Sequence, residues 1–114
     1  PRCEPRGRRR PPGLPTPVFV AVVCCELHLP QSGSLKSKRR VIHSLVDRIH
    51  RRARVSVAET AHHDLHQRAE LGIAAVASEE APLRRLCEEI RELVEGEPEA
   101  MVTGWNVQML EEAG

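Results

Sequence analysis

Hydrophobic residues along the chain follow two different spacings. Apolar residues alternate with polar ones, or run together over the length of a strand, in residues 18–29, 54–62, 68–78 and 101–110. The first of these stretches is rich in β-branched and small apolar residues, which is typical of a strand buried on both faces for most of its length. The second alternates as an exposed edge strand does, and the last places Trp105, Val107 and Met109 towards the core.

Two stretches between these strands repeat their hydrophobic residues every three or four positions, which is the spacing of one helix face. Ser34 is a candidate N-cap of the first helix, whose apolar stripe consists of Leu35, Ile42, Leu45, Val46, Ile49 and Ala53. Pro82 fits the first turn of the second helix and Gly96 its end. The apolar stripe of that helix consists of Leu83, Leu86, Cys87, Ile90, Leu93 and Val94.

The resulting order βαββαβ predicts a ferredoxin-like α+β sandwich, a four-stranded antiparallel sheet with both helices on one face. The first and third strands are then central, and the helix-free face has an apolar centre of Val18, Val20, Val22, Cys24, Ala74 and Val76, flanked by Glu26, His28, Thr60 and Asn106. An exposed apolar surface of this kind favours burial against a partner. The simplest partner is a second copy, in a homodimer through the helix-free sheet face. Base stacking on this face would need aromatic residues, and the pattern places none there.

Charge is distributed unevenly, although the net charge of the 114 residues is only +1. Residues 1–68 contain 14 Lys or Arg and 5 Asp or Glu, whereas residues 69–114 contain 3 and 11. A basic first half suggests an anionic partner such as RNA, DNA or an acidic protein surface. The alternative is that the two halves lie together and neutralise each other.

The first helix concentrates positive charge on its polar arc, which consists of Lys36, Arg39, Arg40, His43, Asp47, His50 and Arg51. Cations near a helix N-terminus are disfavoured by about 0.3–1 kcal/mol each, while the free N–H groups there attract phosphate. We therefore predict an anion- or RNA-binding site formed by Ser34, Lys36, Lys38, Arg39, Arg40, His43 and Arg51. The alternative is a solvated face whose cations pair with Glu26 or Glu59. Lys38 falls beside the apolar stripe, which favours a structural use of that side chain.

A secondary candidate site lies between the second and third strands and consists of His62, His63, Asp64, His66 and Arg68. Imidazole and carboxylate groups serve as metal ligands and as acid–base catalysts. Polar residues also gather in hairpin connections for structural reasons, and that interpretation is favoured here. Glycine-rich nucleotide loops and hydrolase motifs are absent, so we expect no metal and no cofactor.

Residues 1–17 are rich in Pro and Arg without apolar periodicity, which predicts a disordered basic tail before a single domain at residues 18–112. This tail is either a basic arm for nucleic acid or an extension without function, and the second interpretation is favoured. No apolar run has the length of a membrane span and no signal peptide is evident, which predicts a soluble cytoplasmic protein without membrane contact. The four cysteines lack disulfide or zinc spacing and are expected to be reduced.

The segments ELHLPQSGSLKSKRRVIHSLVDRI, VSVAE and DLHQRAELGIAAV resemble, in this order and spacing, the YlxP-like family of small bacterial proteins, domain of unknown function 503. The resemblance spans roughly residues 18–112 and implies a ferredoxin-like sandwich. Genes of this family are commonly found among those of translation and ribosome-maturation factors, which implies an association with translation or RNA. Where the family commonly has DLWQRA, this chain has His66 in place of Trp, so the aromatic platform is missing here.

These observations favour a non-catalytic RNA- or ribosome-associated module linked to translation or ribosome maturation, with RNA or a ribosomal particle as partner. Two alternatives remain open. One is a small metal-dependent or acid–base enzyme that uses the cluster from His62 to His66, and the other is a purely structural homodimer subunit.

Overall fold

The computed structural model describes residues 17–112 as one antiparallel sheet and two helices. The elements are β1 (Val18–His28), α1 (Leu35–Arg52), β2 (Ser56–Ala61), β3 (Arg68–Ala77), α2 (Glu80–Glu95) and β4 (Met101–Glu112). The strand order β2-β3-β1-β4 is that of a ferredoxin-like α+β fold, which confirms the predicted architecture. The predicted tail lies, apart from Pro17, outside the described residues.

The hydrophobic core lies between the sheet and the two helices. Alternate residues of β1 and β3 point into it because successive side chains of a strand face opposite sides. The most buried strand residues, each at most 4% exposed, are Ala21, Val23, Cys25, Leu27, Ala69, Leu71, Ile73 and Ala75. The helices contribute Val41, Ile42, Leu45, Ile49, Leu83, Cys87, Ile90 and Val94. The residues that alternate with these, such as Val20, Val22, Ala74 and Val76, therefore lie on the helix-free face, as predicted.

The helix ends are formed by the residues that the sequence indicated. Ser34 is the N-cap of α1, and its side-chain oxygen accepts a hydrogen bond of 3.0 Å from the backbone N–H of Ser37. Gly96 follows α2, and its N–H donates to the carbonyl oxygens of Glu92 and Leu93 at 3.0 and 3.2 Å. Neither of these two helices is long and apolar enough to cross a membrane.

The two edges of the sheet differ in length and regularity. β2 has six residues and an irregular register between Glu59 and Ala61. β4 has twelve residues, pairs with β1 alone among the described strands, and carries one register shift near its beginning. Val107 points to the helix side of β4 as predicted, but it is 36% exposed because an edge strand is only partly covered by the helices.

Candidate functional site

The polar arc predicted for α1 faces solvent along the whole helix. All seven of its predicted members are exposed, and the opposite side of α1 packs into the core. A helix of 18 residues is about 27 Å long, so the arc is an extended surface rather than a point site. We call the members of the predicted anion-binding site that lie on this arc the basic face of α1, which consists of Lys36, Arg39, Arg40, His43 and Arg51.

Most of the positive charge on the basic face of α1 has no ion-pair partner among the described residues. Arg40 lies 3.2 Å from the carboxylate of Glu99, but both side chains are largely exposed and such pairs contribute little. Within residues 17–112, no carboxylate oxygen lies within 4.0 Å of a charged nitrogen of Lys36, Arg39 or Arg51. The basic face can therefore offer these three cations to an anionic partner.

Lys38 lies in the interior and not on the basic face of α1. Its side chain is 1% exposed, and its Nζ lies 2.8 Å from Glu59 Oε2. The same nitrogen donates to the backbone oxygens of His62 at 2.8 Å and Arg68 at 3.1 Å. An ammonium group has three hydrogens to donate, so all of them are used. The structure thus separates Lys38 from the other predicted site residues and gives it a structural role that joins α1 to β2 and β3.

The first turn of α1 contains no acidic residue, whereas its last turn contains the basic residues His50, Arg51 and Arg52. The helix dipole favours cations at the C-terminal end and disfavours Lys36 at the N-terminal end. Ser34 occupies the N-cap, so this member of the predicted site shapes the start of the helix. Stability alone therefore explains the cations at the end of α1 but not the lysine in its first turn.

Replacing Lys36 by glutamate should raise the free energy of unfolding by about 1 kcal/mol, because an acid in the first turn interacts favourably with the helix dipole. Arg51→Glu is the matched control, since it makes the same change of charge on the same face in the last turn. It should lower the free energy of unfolding by a similar amount. Urea denaturation measures both effects. Two changes of equal sign would contradict the attribution of these effects to the helix dipole.

The turn between β2 and β3 contains the secondary candidate site, and its first and last members approach β1. His62 has a φ of 65°, in the left-handed region, and its Nε2 lies 3.4 Å from Glu26 Oε1. Arg68 Nη2 lies 3.4 Å from the same oxygen. His62 and Arg68 therefore flank a single carboxylate, which forms an ion pair with the guanidinium of Arg68.

The other members of the secondary site do not join this group. His63 Nε2 lies 2.9 Å from the backbone oxygen of Glu59, and Asp64 and His66 are exposed. Among residues 17–112, no three His, Cys, Asp or Glu side chains are arranged so that they could hold a metal ion. The described side chains of this turn therefore have separate partners or are exposed to solvent, and they are not gathered around one point.

A polar cluster on the helix-free face was not predicted from the sequence. Cys24 Sγ donates to Glu70 Oε2 at 3.0 Å, and Thr60 Oγ1 donates to Glu70 Oε1 at 2.7 Å. The hydrogen bond from Cys24, followed by that from Thr60, holds the pKa of Glu70 below its usual range. Glu26 lies directly opposite Glu70 in the register of β1 and β3. Knowledge of the pairing register between β1 and β3 would have predicted this cluster. An alternating pattern of apolar and polar residues does not by itself specify that register.

The described cysteines Cys24, Cys25 and Cys87 form no disulfide with one another, and each has a raised thiol pKa. The hydrogen bond with Glu70 raises the pKa of Cys24 to about 11, and burial raises the pKa of Cys25 to about 12. Burial also raises the pKa of Cys87. The nucleophilic form of cysteine is the thiolate, so these three residues are poor nucleophiles at neutral pH.

The fold and the site define a class, a small ferredoxin-like α+β domain with one exposed basic helix. The chain belongs to the family described as "Protein of unknown function (DUF503)", whose model matches residues 20–107. It is 32% identical over 75 residues to "Uncharacterized protein YlxP" of Bacillus subtilis (strain 168), and this match covers 66% of the chain and 82% of that protein. The resemblance found in the sequence segments is thereby confirmed.

Solved structures with similar folds come from designed and natural proteins. The de novo designed protein Foldit4 has a TM-score of 0.47 and 15% identity, with 82% of this chain and 96% of that chain covered. Protein SO0527 from Shewanella oneidensis has a TM-score of 0.40 and 18% identity, with 82% and 91% covered. The designed ferredoxin-fold protein LFR1 1 has a TM-score of 0.39 and 18% identity, with 79% and 84% covered.

Proposed function

We propose that this protein is a non-catalytic RNA- or ribosome-associated module linked to translation or ribosome maturation. In this proposal, the basic face of α1 binds the phosphate backbone of RNA or of a ribosomal particle. The observation that carries the proposal is a row of exposed cations, Lys36, Arg39 and Arg51, that have no ion-pair partner among residues 17–112. Lysine and arginine neutralise phosphates and release their counterions, which is the main source of affinity in sequence-independent binding.

The separation of charge supports one orientation of a bound polyanion. Residues 17–68 contain 9 Lys or Arg and 4 Asp or Glu, whereas residues 69–112 contain 3 and 11. Two of the three cations in the second group pair with glutamates of α2 itself, Arg84 with Glu80 at 2.7 Å and Arg91 with Glu95 at 3.0 Å. A polyanion is therefore attracted to α1 and repelled by the surface of α2.

The side chains available on α1 favour contacts with phosphates over contacts with bases. Sequence-specific RNA recognition commonly uses aromatic side chains on which unpaired bases stack. The aromatic residues Phe19 and Trp105 are partly buried against the core, and neither belongs to α1. We therefore expect a weak preference for sequence and a strong dependence on salt concentration.

The enzyme alternative lacks a comparable observation. The histidines of the turn between β2 and β3 point to different partners, Glu26 for His62 and a backbone oxygen for His63. The three described thiols are held protonated by burial or hydrogen bonding. A binding function therefore uses the arrangement of the described side chains better than a catalytic one.

The double variant Lys36→Ala/Arg39→Ala should weaken binding to a ribosomal RNA fragment and make that binding less sensitive to salt. Loss of two phosphate contacts should reduce the slope of log K against log salt by about 1.4 for single-stranded RNA and about 1.8 for a duplex. At 0.1 M salt, the affinity should fall by more than about tenfold. Filter binding or fluorescence anisotropy at several salt concentrations measures both quantities.

The matched control is Arg84→Ala/Arg85→Ala, which removes the same charge from exposed positions of α2. This control should leave the affinity within about twofold, because α2 does not face the RNA in this proposal. Equal losses in both double variants would show that net charge alone governs binding. An unchanged affinity in the α1 variant would refute the proposed surface.

A further inference from the structure

The outer edge of β4 is an unprotected strand edge. Within the described chain, β4 pairs with β1 on one side and with no strand on the other. Its outward N–H and C=O groups form a template for another strand, which proteins normally block with charges, proline, bulges or a short edge. Ten consecutive residues of β4, Met101 to Leu110, contain neither a charged residue nor a proline. β4 therefore lacks the usual side-chain protection along most of its length.

The opposite edge of the sheet carries the protection that β4 lacks. β2 is half as long, contains Glu59, has an irregular register next to Thr60, and ends beside the left-handed residue His62. Short length, a charged residue and an irregular register all hinder the addition of another strand. The difference between the two edges points to β4 as the edge that has a partner.

The regular part of β4 is self-complementary. The register with β1 skips Thr103, so the regular, uncharged segment runs from Gly104 to Leu110, and Val107 is its centre. An antiparallel pair of β4 strands with a two-fold axis at Val107 places Trp105 opposite Met109 of the second copy. Aromatic rings and methionine sulfur make favourable contacts. The same register places Glu111 opposite Thr103, so no two carboxylates oppose each other.

We propose that β4 is the interface with a second copy of this chain, in which two β4 strands pair antiparallel about Val107 and join the two sheets into one. Paired residues in this register point to the same side of the sheet, so both pairs of helices lie on one face. The partly exposed side chains Val107 and Leu110, 36% and 48% exposed, gain neighbours on both faces of the joined sheet. A dimer through the helix-free face would instead bury Val76, which is 67% exposed.

Sedimentation velocity over a series of concentrations tests the proposal on the full chain. The unaltered protein should show a reversible monomer–dimer equilibrium. Val107→Lys should weaken the dimer at least about tenfold, because two lysines then lie directly opposite each other across the two-fold axis. Val107→Glu should do the same. An equimolar mixture of the two variants should form a heterodimer, because the opposed charges then attract.

The matched control is Val76→Lys, an equally drastic change on the helix-free face, and it should leave the dimer intact. Circular dichroism confirms that each variant is folded, and recovery in the mixture excludes a general folding defect. A protein that stays monomeric at all concentrations would overturn the proposal. The same holds if Val76→Lys dissociates the dimer while Val107→Lys does not, or if the mixture fails to associate.

Discussion

Replacing Lys38 by methionine is expected to lower the free energy of unfolding by about 3 kcal/mol, the largest effect of any substitution considered for this molecule. The methionine fills much of the same volume. The loss of stability therefore comes from the polar groups around it, which remain without their partner. Glu59 loses its counter-charge, and the backbone oxygens of His62 and Arg68 lose their hydrogen-bond donor. Glu59 is 21% exposed and keeps some hydration, which places the effect at the lower end of the range for a buried ion pair.

Two further variants separate the charge from the hydrogen bonds of Lys38. Lys38→Met/Glu59→Gln removes both charges, so it should recover part of the loss, whereas the two backbone oxygens stay without their donor. Lys36→Met, two residues away on the exposed face, should change the free energy by less than about 0.5 kcal/mol. Urea denaturation of the four proteins gives these values. A full recovery in the double variant would show that the backbone contacts contribute nothing.

Replacing Arg48 by alanine is expected to cost about 2–3 kcal/mol, because it leaves the carboxylate of Glu97 buried without its cation. Glu97 is 8% exposed, and its Oε1 accepts a hydrogen bond from Arg48. Its other oxygen accepts from the backbone N–H of Glu99 at 3.1 Å, which organises the loop between α2 and β4. Arg48 itself is one-third exposed, so the expected cost is smaller than for a fully buried pair.

Arg40→Ala is the matched control for Arg48, because it removes a second arginine of α1 that pairs with the same loop. The pair of Arg40 with Glu99 is exposed, and its loss should cost less than about 0.5 kcal/mol. Thermal or urea denaturation distinguishes the two variants. Equal costs would mean that burial of the carboxylate does not determine the contribution of these pairs.

The fold was predictable because the spacing of hydrophobic residues changes at each element boundary. The alternating residues of β1 and β3 and the caps Ser34 and Gly96 indicate the elements, and the order βαββαβ leaves few ways to join them. The predicted bounds of the strands differ from the observed ones by at most two residues. The exposed arc of α1 was predictable for the same reason, since a regular helix fixes which residues share a face.

The partners of the charged residues were not predictable in the same way. The spacing of hydrophobic residues in α1 predicts that Lys38 lies beside the core. Its hydrogen-bond acceptors include two backbone oxygens, however, and their positions depend on the conformation of the turn after β2. The pairing of Arg48 with Glu97 joins residues 49 positions apart through a loop whose path no periodicity describes. Contacts of this kind depend on tertiary geometry, and local spacing does not contain that information.

The asymmetric distribution of charge has a consequence for handling the molecule. A protein with a net charge of +1 has almost no average attraction to an ion-exchange resin. An ion-exchange resin attracts the local patch of opposite charge on a protein, and the net charge of the chain matters less. Cation and anion exchangers should therefore bind different patches of this molecule. A sulfonate matrix should attract basic residues such as those of α1, and a quaternary amine matrix should attract acidic residues such as those of α2. The two kinds of column should therefore hold the same domain in different orientations.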